Sequence, residues 1–311
     1  MKSSRLHFGA ICLAVTGLVA LGGAKGLPPE ETYTFAPVDF PGSVWTGVAA
    51  ITPDRRMVGY TRDAALVWHG FVRTDGGTTV FDVPIAGATG TVPVGINSAG
   101  DIIGWFFQGS NVPHGFFWPA RGSATVIDVP GAFRTFPHGI NAAGDVVGFY
   151  DASAVPDKRR GFLLSRSGTY STIDLPASTG PFPNGTMANW INQRGDIVGT
   201  FYDGATVHGY LLSGETATQL DVPFAGVVRT QAWGMNSEGD IVGEYVVGGR
   251  TFAFKRDRHG RYESLDVPEL ATMAVVQVFG INPAGDIVGQ YQATPASPAR
   301  GFVLYRTPPG P

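Results

Sequence analysis

Short runs of alternating polar and apolar residues recur in sets along this chain, and helical spacing is absent beyond residue 24. One set shows the rule. Arg134 to Ile140 reads as a short strand ending in a tight turn, Asn141-Ala142-Ala143-Gly144. Asn at the first turn position bonds the backbone two residues on, and Gly at the fourth accepts the positive φ that closes a hairpin. Asp145 to Tyr150 and Gly161 to Ser165 predict a second and a third strand. Thr169 to Leu175 alternates as an outer strand should, one side wet and one side dry.

The set repeats as a Gly-Ile-Asn-x-x-Gly-Asp-Ile-Val-Gly segment, a Gly-Phe segment and an Asp-x-Pro ending. The Asn position falls at Thr52, Asn97, Asn141, Asn192, Asn236 and Asn282, and the closing glycines are Gly59, Gly104, Gly148, Gly199, Gly243 and Gly289. The Asp-x-Pro carboxylates are Asp39, Asp82, Asp128, Asp174, Asp221 and Asp266, roughly 43 to 47 residues apart, a spacing suited to a four-stranded blade. The pattern predicts an all-β, six-bladed β-propeller with four antiparallel strands per blade. Its units are residues 45–84, 90–130, 134–176, 185–223, 229–268 and 275–306 plus 32–41. The last unit lacks a fourth strand after Arg306, and Thr32 to Pro41 at the other terminus carries the missing sequence. Pairing it with Gly301 to Tyr305 completes the last blade and leaves no open edge. An open β-solenoid and a seven-bladed ring are the competing arrangements.

The recurring residues resemble the extracellular HAF-repeat family, named for a His-Ala-Phe triplet. Here the triplet reads His69-Gly70-Phe71, His114-Gly115-Phe116 and His208-Gly209-Tyr210, while Arg160-Gly161-Phe162, Phe252-Ala253-Phe254 and Arg300-Gly301-Phe302 lack the His. The resemblance covers nearly the whole chain after the leader and implies a secreted or surface-exposed protein. The family brings no assigned chemistry, so it transfers no catalytic residues.

Residues 1–24 read as a secretory signal: Lys2 and Arg5, then an apolar run from Phe8 to Leu21, then Gly22-Gly23-Ala24 as a small-residue cleavage site. Residues 25–311 form one domain, expected outside the cell or in the periplasm. Removing Lys2 and Arg5 from 22 basic and 25 acidic residues leaves a formal charge of about −5, which gives no electrostatic reason to bind nucleic acid. No later stretch is long and apolar enough to span a membrane. The only cysteine, Cys12, lies in the leader, which excludes disulfides, thiol catalysis and cysteine metal sites from the mature chain.

Metal and cofactor sites are not expected. The repeat histidines and the Asp-x-Pro carboxylates sit one per blade and cannot converge on one ion at ~2 Å, so they read as packing and turn residues. Asn184-Gly185-Thr186, formally a glycosylation sequon, reads as a turn.

Function is expected where the repeats disagree. Seven residues before the Asn position stand Trp45, Gly90, Arg134, Gly185, Arg229 and Val275, each followed by Thr except the last. Arg134 and Arg229 could clamp an anion, and Trp45 could stack a sugar ring. His138, Asn189, Trp233 and Phe279 lie further along the first strands. Trp190 replaces a Gly found there in four units, and Lys158, Arg159 and Arg160 add charge nearby. Scaffold roles, as solvated rim residues and packing aromatics, compete with this reading. The leading expectation is a binding module for a carbohydrate, possibly an acidic one, or for an extracellular surface protein. The alternative is a glycan- or lactone-directed lyase or hydrolase, with His138 as base and Tyr150 or Asp151 as its partner. A purely structural envelope protein is a third. Oligomeric state is not legible.

Overall fold

The computed structural model describes residues 4–5, 31–109, 112–153, 159–175 and 185–307, and every regular element among them is a β-strand. Strands β1 (Ser4–Arg5) and β2 (Thr32–Val38) precede the repeats. The first unit is β3 (Trp45–Ile51), β4 (Met57–Arg62), β5 (Trp68–Thr74) and β6 (Gly77–Phe81). The second is β7 (Ala88–Ile96), β8 (Ile102–Gln108), β9 (Val112–Trp118) and β10 (Thr125–Val126). The third is β11 (Arg134–Ile140), β12 (Val146–Asp151), β13 (Arg160–Leu164) and β14 (Tyr170–Ile173). The fourth is β15 (Thr186–Ile191), β16 (Ile197–Tyr202), β17 (Val207–Ser213) and β18 (Thr216–Leu220). The fifth is β19 (Val227–Met235), β20 (Ile241–Val247), β21 (Arg250–Arg256) and β22 (Tyr262–Ser264); the sixth is β23 (Val275–Ile281), β24 (Ile287–Gln292) and β25 (Arg300–Thr307). Apart from β1, the expected leader lies outside the described residues, as do Lys158 and Asn184.

The fold is a β-propeller, but its hydrogen bonding corrects the expected blade count. β3–β6, β7–β10 and β15–β18 are self-contained four-stranded sheets, and β11–β14 form a fourth, with β1 added parallel to β14. The remaining strands belong to one eight-stranded sheet in the order β19-β20-β21-β23-β24-β25-β2, with β22 also on β21. The expectation of six separate blades is overturned: there are four, and one continuous sheet replaces the last two. The join is a single parallel backbone bridge between the fifth and sixth units. β22 covers only Phe254 to Arg256 of β21. The uncovered end of β21 bridges β23 in parallel at Thr251 and Val275, and the Thr251 amide donates to the Ala274 carbonyl.

β2 lies antiparallel to β25 from Thr32 opposite Thr307 to Val38 opposite Gly301, so the start of the chain pairs with its end. Arg300 pairs with Asp39, Arg306 with Glu31 at 3.0 Å, and the buried Lys255 with Glu31. The Thr46 amide donates to Ala299 and Asn282 Nδ2 to the Thr52 carbonyl at 3.3 Å, which ties the first unit to the sixth.

Each recurring residue has a local job. In all six units the first strand bulges by one residue, between the positions on either side of Ala49, Val94, His138, Asn189, Trp233 and Phe279. Beside the bulge the first strand presses on the closing glycine. A Cβ there would meet a first-strand carbonyl oxygen at 2.0 to 2.3 Å in every unit. On its other side each closing glycine faces the Gly-Phe ring across the ladder: Phe71, Phe116, Phe162, Tyr210, Phe254 or Phe302, none more than 1% exposed. Burying each ring contributes about 1.5–3 kcal/mol.

The turn Asn does more than close its hairpin. Asn97 donates to the Asn141 carbonyl of the next unit, and Asn236 donates likewise to Asn282. The near-uniform Thr is scaffold too, since Thr91, Thr135, Thr186 and Thr230 accept bonds from the amides of Val83, Val129, Leu175 and Val222. The triplet histidines and the Asp-x-Pro carboxylates turn out to be partners. His69 bonds Asp82 at 2.9 Å, His114 bonds Asp128 at 2.6 Å, His208 bonds Asp221 at 2.8 Å, and Arg300 with Asp39 is the same pair across the termini.

Candidate functional site

A bulge re-aims a side chain, and here six bulges surround one central channel. Ala49, Val94 and Asn189 are small, whereas His138, Trp233 and Phe279 are large. His138 and Trp233, two units apart, meet at 6.1 Å between ring centroids, and Trp233 meets Phe279 at 5.8 Å. Rings from non-adjacent units reach one another only across the channel, so they divide it into two mouths.

The mouth where the first strands begin carries the arginines. The residue after each closing glycine contributes to it: Tyr60, Trp105, Phe149, Thr200, Glu244 and Gln290. The first three units supply an aromatic arc. Trp45 and Tyr60 both pack against Trp68, and Trp105 and Phe149 pack against His138. The last two units supply a polar arc. Trp45 Nε1 and the Tyr60 hydroxyl donate to Gln290 Oε1 at 3.1 and 3.2 Å, Gln290 donates to Gln277 at 2.8 Å, and Gln277 donates to Glu244 at 2.9 Å. Arg229 stands 3.8 Å from the other Glu244 oxygen.

Opposite this chain, Asp151 is flanked by Arg134 and Arg159, each at 3.6 Å, with Arg159 also over the Phe149 ring at 4.7 Å. Neither Asp151 oxygen has a hydrogen-bond partner among the described residues. Burial pushes the Asp151 carboxyl up, and the Arg159 and Arg134 charges offset only part of that. Burial likewise raises Glu244 against the Gln277 hydrogen bond and the Arg229 charge. Both acids are nearly sealed, while the Arg134 and Arg229 side chains stay 38% and 44% exposed. The mouth therefore presents cations to solvent and keeps its anions underneath.

The structure places Arg134, Arg229, Trp45, His138, Trp233 and Asp151 in this half of the channel. Three expectations are corrected. Trp190 lines the opposite mouth, because the bulge at Asn189 lets it follow the strand toward the turn. Asn189 is 2% exposed and donates to the Ala232 carbonyl at 2.8 Å, so it ties the fourth unit to the fifth. Tyr150 turns outward, its hydroxyl 3.3 Å from Thr172 Oγ1, and is no partner for His138. His138 itself is walled by Trp105, Phe149 and Trp233, and burial with the Arg159 charge pushes its pKa down to about 3. Sequence reasoning missed Glu244, Gln277 and Gln290. For Glu244 and Gln290 a signal was present: the position after the closing glycine holds six different residues in six units, beside an unvarying neighbour.

The second mouth lies at the Asn turns and is nearly uniform. It holds a cavity of about 400 Å³. The residue before each turn position forms its wall: Ile51, Ile96, Ile140, Ile191, Met235 and Ile281. Trp190 breaks the uniformity.

Among the described residues no helix is long and apolar enough to cross a membrane. No family model matches the chain, and no characterised protein matches it in sequence. Its fold is similar to a point mutant of Aleuria aurantia lectin solved with Fucα1-6GlcNAc, at 12% identity over 86% of this chain and 96% of that one, TM-score 0.52. AofleA from Arthrobotrys oligospora is similar at 10% identity over 90% and 91%, TM-score 0.52. A putative gluconolactonase is similar at 13% identity over 88% and 92%, TM-score 0.50. At such identities the likeness establishes the β-propeller fold alone.

Proposed function

We propose that the protein is a secreted binding module whose arginine mouth takes an acidic sugar, with the HAF-like repeats serving as its scaffold. The observation that carries this reading is the arrangement of Arg134 and Arg229, half-exposed in units three and five, each no closer than 3.6 Å to its buried carboxylate. Guanidinium groups held this loosely keep donor capacity for an incoming carboxylate. Unit four stands between them, where Arg159 bridges Gly185 and its guanidinium lies 3.5 Å from Met187 Sδ, so a third cation borders the same place. The aromatic arc offers faces for a pyranose ring, and the Gln277–Gln290 chain offers groups for hydroxyls. That two propellers of similar fold are a lectin solved with a fucosyl disaccharide and a putative gluconolactonase is compatible support.

Catalysis by His138 is disfavoured. A base with its pKa near 3 is weak at neutral pH, and Tyr150 faces elsewhere.

Titration calorimetry with galacturonate and glucuronate oligomers against their neutral counterparts tests the reading. Binding is expected for the acids, with a loss of about tenfold or more for Arg134→Ala and for Arg229→Ala, since a hydrogen bond to a charged group contributes about 1.5–3 kcal/mol. Equal affinity of wild type and both variants would remove the arginines from the site.

A further inference from the structure

The turn-side cavity shares no lining residue with the arginine mouth. Among the described residues no charged side chain lines it. Its asparagines are occupied in their own turns and in bonds to the neighbouring unit. What remains is a cup of about 400 Å³ with an aliphatic wall and with Thr52, Ser98, Gln193 and Ser237 as its other polar lining, inside the range of roughly 300–1,000 Å³ for small-ligand sites. Water against the aliphatic wall finds few partners there, so covering that wall with an apolar group is favourable.

Trp190 shows that the cup is more than leftover space. The same position is Ala50, Gly95, Gly139, Gly234 and Gly280 in the other units. Close packing explains those small residues. A Cβ on Gly139 would lie 2.7 Å from the Trp190 Cα, and one on Gly234 would lie 2.5 Å from the Phe279 carbonyl oxygen. At the one position where five units keep Ala or Gly, the fourth unit places the largest side chain, and that side chain lines the cavity.

We infer that the turn-side cavity is a second ligand site, for a small uncharged ring compound that packs against Trp190. The wall of six aliphatic side chains supplies affinity, and the Trp190 indole supplies a face for the ring. The lack of charge at the rim selects against ions, so this site and the arginine mouth take opposite kinds of ligand.

The test is fluorescence titration with N-phenyl-1-naphthylamine, an uncharged aromatic probe. Emission should rise with one-to-one stoichiometry, and the sulfonated analogue of the same ring system should bind at least tenfold more weakly. Trp190→Gly should weaken the probe at least tenfold. Because that change also removes core packing, Ala142→Trp is the second variant. Ala142 is exposed at the rim, so the new ring blocks the cup without touching the core, and thermal unfolding checks that the fold is kept. Arg134→Ala should leave probe affinity unchanged. No probe binding, equal binding to wild type and Ala142→Trp, or loss only in Arg134→Ala would each overturn the proposal.

Discussion

The two mouths of the channel are built from the same six repeats and differ in what the repeats are free to vary. At the turn mouth the units repeat one solution, an apolar residue, then Asn (Thr52 in the first unit), then a turn, and Asn97, Asn236 and Asn282 each bond the turn carbonyl of the next unit. At the arginine mouth the position after the closing glycine runs through Tyr60, Trp105, Phe149, Thr200, Glu244 and Gln290. The closing glycine lies between the two regimes. It is fixed because the bulge brings a carbonyl oxygen against it, and the bulge in turn aims a variable side chain into the channel. Scaffold and site are thus neighbours in sequence, and conformational demand rather than distance separates them.

The sharpest test of that division is a pair of glycines. Gly289→Ala would place a Cβ 2.0 Å from the Gln277 carbonyl oxygen, a backbone clash inside a packed ladder. It should cost about 3 kcal/mol or more in urea denaturation. Gly47→Ala at the arginine mouth would meet the Gln290 amide and the Tyr60 ring at 2.7 Å, and side-chain ends yield. It should cost about 1 kcal/mol and act mainly on ligand binding. Equal costs would mean that the two mouths are equally constrained.

The turn mouth should respond next. Asn282 Oδ1 accepts from the Asp286 amide, and its Nδ2 donates to Asp286 and to the Thr52 carbonyl. Asn282→Ala leaves these buried groups without partners, at about 1–3 kcal/mol. Thr52 makes no such cross-unit bond, because its hydroxyl serves only its own turn, with Asp54 and Arg56. Thr52→Asn should add the missing bond to the second unit and raise stability by about 1 kcal/mol. A thermal or urea midpoint that fell instead would show the Asn interlock to be dispensable.

This division decides what could be read from sequence. The repeat length, the hairpin turns and the pairing of residues 32–38 with 301–307 follow from local patterns, so they were legible. The joining of the last two units rests on one backbone bridge, Thr251 to Val275, and a single bridge leaves no mark in the sequence. Arg134, Arg229 and Trp45 stood out because unit-to-unit variation marked them. Trp190 was misplaced because one bulged residue shifts everything after it along the strand, and a bulge is invisible to a period-two count. The histidines and aspartates looked like separate packing and turn residues because the sequence separates by 13 or 14 positions what adjacent strands bring together.

At the arginine mouth the next effect concerns pH. Burial raises the folded-state pKa of Glu244. The stability linked to it is therefore fully present below the unfolded carboxyl value and is lost as pH rises through the folded one. Glu244→Gln keeps a neutral acceptor for Gln277 and removes that loss, so its advantage over wild type should grow from pH 4 upward and then level off. A variant destabilised equally at every pH would show that Glu244 titrates as an ordinary surface acid.

The smallest effect belongs to the outer rim, where neither mouth is involved. Burial lowers the His69 pKa, but the hydrogen bonds and charges of Asp82 and Asp63 outweigh it and raise the net value. The contribution of His69 is then fully present below the unfolded histidine value near 6.5 and disappears as pH rises through the folded value. Because the pair is open to water, His69→Ala should cost only about 0.2–1 kcal/mol at pH 5.5 and less at pH 9. Arg300 occupies the same repeat position against Asp39 and stays charged throughout, so Arg300→Ala should show no such pH dependence. A double-mutant cycle with Asp82→Ala and Asp39→Ala at the two pH values separates the cases. If the His69 coupling persisted at pH 9, a neutral hydrogen bond rather than an ion pair would be what joins the third strand to the Asp-x-Pro loop.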